Sequence, residues 1–261
     1  MCKCRICSNG ISEIFKATIL QKYEIKYYAC DKCGFLQTEK PYWLNESYKE
    51  SINITDTGLV QRNLEDAELT AIIIQQLFNK QSAFVDMAGG YGLFVRLMRD
   101  KGYHFYWSDL YTHNLMARGF EFDGNNNKEI ELITAFEAFE HFIDPIKEIE
   151  NMLSISKNIF FSTLLYSTSI PDRNWWYYGF EHGQHISFYS LNTLLFIAKK
   201  YNLNLHSFDE NLHLLTERKL SYFEKYKLDK KIKEHRRVDY TFASKDRDFL
   251  IIQLAEKQQM Q

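Results

Sequence analysis

The sequence predicts an α/β fold: a sheet of parallel strands with helices on both faces, preceded by a small cysteine-rich ribbon. Three observations carry this expectation. From Ala83 onward, strand-like apolar runs alternate with amphipathic segments, as βαβ units around a parallel sheet do. Within that alternation, "AFVDMAGGYGLFVR" (83–96) sets an acid and a cluster of small residues between an apolar run and an amphipathic one. In sheets of this class ligands bind beyond the carboxyl ends of the strands, where this loop falls. Lastly, all five cysteines lie in the first 33 residues, which marks the N-terminus as a chemically separate piece.

With 261 residues, 45% of them hydrophobic, the chain can bury one sizeable core and a small appended module. We divide it into a ribbon over 1–45, a linker over 46–58 and a main domain over 59–261. A net charge of −2 provides no general positive field to draw nucleic acid or anionic lipid. No apolar run approaches the roughly 20 residues that cross a bilayer, and no basic flank precedes an apolar stretch at the N-terminus. A cytoplasmic protein without membrane insertion is therefore expected.

"CRIC" and "CDKC" are two C-x2-C pairs, Cys4 with Cys7 and Cys30 with Cys33. Each pair can form a knuckle, and two knuckles complete a tetrahedral, closed Cys4 shell around a structural zinc ion. Cys2 is the spare, or replaces Cys4 in another register. Between the pairs, "EIFKATILQKYEIKYYAC" mixes β-branched and aromatic residues as strands do. "PYWLNESYKESINITDTG" reads as linker, and 59–80 has apolar residues at helical spacing.

"AFVDMA" is strand-like, "YGLFVRLMRDKG" is a helix closed by Gly102, and "YHFYWSDL" and "EIELITAFEAF" are strands. "DPIKEIENMLSIS" is a helix with Asp144 at its cap and Pro145 at its first position. "KNIFFSTLL" is a buried strand, and "SLNTLLFIAKKYN" a helix. "LNLHSFDENLHLLT" reads as one strand and "RDFLIIQLAEK" as the last. Between those two we expect a basic helical insertion over about 217–240, most simply a solvated charged face.

The loop after Ala83 is a poor dinucleotide fingerprint, because Val95 stands where the third glycine should be. It also lacks the Gly-Lys-Ser or Gly-Lys-Thr ending of a nucleotide P-loop. What fits is a strand ending in Asp86, small residues at Ala88, Gly90 and Gly92, and a second strand ending in Asp109 and Leu110. The first acid can meet an ammonium and the second can accept ribose hydroxyls, groups that S-adenosylmethionine carries together without phosphates.

On these residues the chain resembles the class I S-adenosylmethionine-dependent methyltransferases, whose Rossmann-like sheet carries a first motif of the form D-x-G-x-G-x-G. "DMAGGYG" matches it with Ala88 at the first glycine, a change compatible with binding where the backbone there has negative φ. The resemblance implies that Asp109 holds the ribose and that Glu137, in "FEAFEHFIDP", contacts the cofactor. The N-terminal cysteines narrow the likeness to bacterial methyltransferases of nucleotide-linked sugars, which carry a Tyr-His-Glu-His run before an aromatic and Ser-Leu. "HGQHISFYSL" is the matching text here, with His182 and Gln184 departing from the pattern and His185 keeping it.

A hydroxyl or carbon acid that receives a methyl group must lose a proton, and Glu181, His182 and His185 are the candidates to take it. The resemblance favours His185. Trp175, Trp176, Tyr177 and Tyr178 can stack on a sugar or a base, or form an apolar lid. Glu137, Glu140 and His141 either fix the cofactor and the following helix or, with His185, offer oxygen and nitrogen ligands to a divalent ion, as similar motifs do in some metal-dependent O-methyltransferases. The leading expectation is methyl transfer to a small hydroxylated substrate, a sugar nucleotide or a surface-glycan precursor in polysaccharide biosynthesis. The alternatives are an RNA methyltransferase with a zinc module and a non-catalytic zinc-ribbon scaffold.

Overall fold

The computed structural model describes residues 2–49, 53–124, 129–167, 169–235 and 245–253. In chain order its elements are β1 (Ser12–Ile19), β2 (Tyr23–Ala29), β3 (Leu36–Thr38), the short α1 (Leu44–Ser47), α2 (Leu59–Leu77), β4 (Ala83–Met87), α3 (Leu93–Asp100) and β5 (His104–Ser108). There follow β6 (Ile130–Ala135), α4 (Pro145–Ile155), β7 (Ile159–Ser162), β8 (Ser187–Phe188), α5 (Leu191–Lys200), β9 (Asn204–Ser207), β10 (Leu212–Thr216) and α6 (Tyr222–His235). This is a mixed α/β fold whose βαβ connections are parallel. The chain divides into two units, residues 1–49 with 128–220, and residues 50–127 with 221–261.

The second of these units holds one βαβ. β4 pairs in parallel with β5, from Ala83 opposite His104 to Met87 opposite Ser108. The first four residues of β4 are buried, as a near-continuous apolar run in a parallel sheet should be. α3 turns Phe94, Val95 and Met98 inward, and Gly102 follows it with a φ of +88° that suits glycine. α6 packs against α2 and buries Leu228 and Ile232, four positions apart and so on one face.

The other unit contains the second βαβ. β6 and β7 are parallel, with Ile133 opposite Ile159, and α4 joins them. Asp144 caps α4 by accepting a hydrogen bond from the Lys147 amide, with Pro145 next, as the sequence predicts. β10 runs antiparallel to β7, and β9 antiparallel to β10. Two sequence expectations are corrected here. "LNLHSFDENLHLLT" is two strands, because Asp209 Oδ1 accepts the amides of Asn211 and Leu212 and folds the run into a turn. Residues 245–253 are helical, so among the described residues β10 is the last strand and the basic segment follows it as α6 instead of interrupting the sheet. Its residues 236–240 lie outside the described residues.

A second sheet in this unit has the order β1-β2-β3-β8, all antiparallel. The cysteine-bearing ribbon thus takes its fourth strand from residues 187–188. Their common core joins Ile19, Ile25, Tyr27, Leu36 and Trp43 to Tyr177, Tyr178, Ile186 and Phe188. The Trp43 indole also donates to the Gly183 carbonyl at 2.8 Å. Of the aromatic cluster, Tyr177 and Tyr178 are therefore core residues, while Trp176 is exposed. Among the described residues no helix is long and apolar enough to cross a membrane.

His213, buried in β10, accepts or donates at both nitrogens, with Ser207 Oγ 3.0 Å from Nδ1 and the Thr163 carbonyl 3.1 Å from Nε2. Burial lowers its pKa to about 4. A depressed imidazole pKa contributes stability above the unfolded value near 6.5 and loses it as pH falls toward 4. Replacing His213 with Gln should flatten that part of the stability profile by about 2–3 kcal/mol, measured by urea unfolding between pH 7 and pH 4.

Candidate active site

The loop between β4 and α3 is built from backbone conformations that favour glycine. Gly90 and Gly92 have φ of +52° and +83°, and Ala88 has φ of +58°. A Cβ on Gly89 would lie 2.7 Å from Asp86 Oδ2 and 2.9 Å from Trp107 Cδ1, so only glycine fits there. A Cβ on Gly90 would meet nothing within 4 Å, which leaves the backbone open to close approach by a ligand. Three bonds tie this loop to the end of β5. The Gly89 amide donates to the Ser108 carbonyl, the Gly90 amide to Asp109 Oδ2 at 3.0 Å, and the Trp107 indole to the Gly90 carbonyl at 2.8 Å. Asp109 Oδ1 also accepts the amides of Tyr111 and Thr112. Asp86 is buried and Leu110 exposed.

The positive φ of Ala88 departs from the negative value under which we expected alanine to be harmless. A left-handed alanine costs about 1–2 kcal/mol, and part of that returns as unfolded-state entropy when glycine replaces it. Ala88→Gly should therefore stabilise the protein by about 0.5–1 kcal/mol, seen as a raised melting temperature.

A second constellation lies in the unit that contains β6, β7 and β8. Glu137, just past β6, also has positive φ. Its amide donates to Ser162 Oγ, and that hydroxyl donates back to Glu137 Oε1, both at 2.7 Å. Glu140 is fully buried, and neither carboxyl oxygen has a hydrogen-bond partner. Burial, and then the Glu137 carboxylate, raise its pKa to about 8. Burial lowers His141 to about 4. The His141 ring is 5.0 Å from that of His185, which in turn is 4.7 Å from His182.

These imidazoles are oriented by the backbone. His185 Nδ1 is 2.6 Å from the Tyr177 carbonyl. A carbonyl only accepts, so Nδ1 carries the proton and Nε2 keeps its lone pair. His182 is the reverse, since its Nδ1 accepts the Gln184 amide at 3.1 Å. Gly179 is held against the His182 ring and leaves no room for a Cβ. Glu181 is exposed. Sequence reasoning placed Glu137 in a candidate ligand set, whereas the groups that converge are Glu140, His141 and His185.

The cysteines form the third cluster. Cys4, Cys7, Cys30 and Cys33 bring their sulfurs within 4.8 Å of one another, with Cys4 to Cys33 at 3.5 Å and Cys7 to Cys30 at 3.4 Å. Four thiolates at 2.3 Å from a tetrahedral zinc ion stand about 3.8 Å apart, so the set fits such a shell with small adjustments. The Ile6 amide points to Cys4 Sγ, as a knuckle requires, and Cys2 is exposed. Thr193 Oγ1 donates to the Cys33 carbonyl, while Ser190 Oγ and the Tyr166 hydroxyl donate to the Gly34 carbonyl. Ser190 and Thr193 also form the capping box of α5, which fastens the second knuckle to that helix.

A family model described as a methyltransferase domain matches residues 60–207, more than half of the chain. No curated protein matches. Among solved structures, the chain is similar to CalO1, a methyltransferase in calicheamicin biosynthesis, at 10% identity and a TM-score of 0.41, covering 68% of this chain and 60% of that one. It is also similar to the plantazolicin methyltransferase BpumL, at 12% identity and a TM-score of 0.48, with 76% and 88% covered. A third is the magnesium protoporphyrin IX methyltransferase of Synechocystis PCC 6803, at 11% identity and a TM-score of 0.42, with 66% and 90% covered. The matched span takes in the glycine loop, Asp109, Glu137 and the histidine cluster, and on it the chain belongs to the methyltransferase-domain family.

Proposed function

We propose that the protein transfers a methyl group to a hydroxyl of a nucleotide-linked sugar or surface-glycan precursor, with proton removal dependent on His185. The observation that carries this is the His185 imidazole, held by the Tyr177 carbonyl so that Nε2 keeps its lone pair. A sugar hydroxyl is a weak nucleophile until its proton is drawn away, and an imidazole is suited to that at neutral pH. His182 has its Nδ1 lone pair engaged by the Gln184 amide, which leaves it a supporting part. Glu181, exposed to solvent, would serve at most to relay the proton outward.

S-adenosylmethionine supplies the electrophilic methyl when bound. We assign its binding to Asp86, Ala88, Gly90, Gly92, Asp109, Leu110 and Glu137. Asp109 would serve twice, since the carboxylate that orients the Gly90 amide is also the one meant for ribose hydroxyls. Asp109→Ala should weaken cofactor binding by about 1.5–3 kcal/mol in calorimetry. Cys4, Cys7, Cys30 and Cys33 would hold a structural zinc ion that fixes the ribbon.

The sugar reading rests on the cysteine ribbon followed by "HGQHISFYSL", and it is tested by incubating a panel of sugar nucleotides with labelled cofactor and detecting product by mass spectrometry. Label on none of them would remove it. One observation favours RNA as the substrate instead: Lys225, Lys227, Lys230, Lys231 and Lys233 all lie on α6. RNA binding would weaken steeply with salt through counterion release, whereas sugar-nucleotide binding would change little.

A further inference from the structure

We propose that Glu140, His141 and His185 form a binding site for a divalent metal cation, separate from the cysteine cluster. Each residue offers one ligand atom, and these atoms all lie within 4.8 Å of one another. Small side-chain rotations would bring them to the roughly 2.0–2.2 Å at which such ions hold nitrogen and oxygen.

Two independent features point to a cation. The first is Glu140, wholly buried with both carboxyl oxygens unpartnered. Buried polar groups are nearly always satisfied, and both oxygens of this carboxyl are left to bond a ligand that the surrounding side chains do not supply. The second is the orientation of the rings. The Gln184 carbonyl lies 3.1 Å from His141 Nδ1, and the Tyr177 carbonyl 2.6 Å from His185 Nδ1. The carbonyl at His185 fixes the proton on Nδ1 and leaves Nε2 as a donor atom, which is how metal-binding histidines are held. The Tyr48 hydroxyl, 2.9 Å from His141 Nδ1, adds a further restraint on that ring. Glu137 is engaged by Ser162 and stays outside the set. Two imidazoles and one carboxylate suit Zn²⁺, Mn²⁺, Fe²⁺ or Co²⁺, with coordination positions left for an oxygen ligand.

The binding site stands on this geometry alone; its catalytic role rests on the proposed methyl transfer. A cation there would acidify the substrate hydroxyl as a Lewis acid. The O–H bond then breaks with its proton passing to water, the oxygen pair forms the O–CH3 bond, and the S–CH3 bond breaks with its pair remaining on sulfur. His185 would in that case act as a ligand, through the cation.

The test is a titration of the full chain as purified with Mn²⁺, followed by loss of the free-ion paramagnetic resonance signal, with elemental analysis beside it. Mn²⁺ favours oxygen and nitrogen over thiolates, so the cysteine site does not interfere. One ion per chain is expected at the new site, with affinity reduced at least about tenfold in Glu140→Gln and His141→Gln. Glu140→Gln should melt no lower than the parent in the absence of Mn²⁺, since it removes an unpartnered buried carboxyl. A tightly held native ion would instead show as a second metal per chain that is lost in Glu140→Gln. No ion beyond the cysteine site, or binding indifferent to both substitutions, overturns the proposal. Failure of the methyl-transfer reading would look different, as absence of cofactor binding or of any methylated sugar with Mn²⁺ present.

Discussion

Cys33→Ser is expected to lose zinc and to lower the melting temperature by roughly 8–16 °C. Cys33 is buried, with Sγ 3.5 Å from that of Cys4, and a serine in its place leaves three thiolates for a tetrahedral ion. Metal binding and folding are coupled in a ribbon this small, so most of the metal's binding free energy is forfeited with the fourth ligand. The damage should not stay local. Thr193 donates to the Cys33 carbonyl, and Ser190 and Tyr166 donate to that of Gly34, so the second knuckle and the start of α5 move together. Tyr177, Tyr178 and Phe188 share a core with β1, β2 and β3, and loosening the ribbon uncovers them. A loss of about 4 kcal/mol corresponds to roughly 8–16 °C in a unit of this size. Cys2→Ser is the control and should change neither metal content nor melting. Equal zinc in both variants would show that the cysteine cluster is not the site.

What the sequence made legible was whatever rests on local signals. The β4 strand, the glycine loop and the Asp144–Pro145 cap are each written in a few neighbouring residues, and the structure has them in those places. The cysteine pairs were legible for the same reason, since ligand spacing is a local property. Apolar runs without caps were less so. Residues 245–253 form a helix although "DFLIIQL" reads equally as a strand, because periodicity cannot separate the two over so short a run. β9 and β10 read as one strand in the sequence because the Asp209 turn has no glycine or proline to announce it. The pairing of β3 with β8 joins residues far apart in the chain, and a two-residue strand leaves no pattern. The gathering of Glu140 and His141 with His185 is of that kind too. The sequence offers these residues together with Glu137 as one ligand set, but which carboxylate faces the histidines is decided by tertiary packing, with Glu137 held by Ser162 and Glu140 turned inward.

His185→Ala should lower kcat by roughly 10²–10⁴ while leaving cofactor affinity nearly unchanged, since losing the group that governs proton removal acts on the transition state. The separation follows from where the residues sit in the chain. The glycine loop is ordered by bonds from Gly89, Gly90 and Trp107 to their own unit, and none of these involves His185. The Tyr177 carbonyl that orients the imidazole belongs to the main chain and survives the substitution. His182→Ala serves as the comparison, because its Nδ1 is already occupied by the Gln184 amide and should cost much less. A collapse of kcat in the His182 variant with a near-normal rate in the His185 variant would transfer the role. Near-normal rates in both would mean that positioning alone carries the reaction, as an already nucleophilic substrate would permit. The pH profile then divides the two ways in which His185 can act. As the proton acceptor itself it leaves an acidic limb on kcat that metal chelators do not touch, whereas as a metal ligand it makes the same limb shift with added Mn²⁺ and vanish with the rate under a chelator.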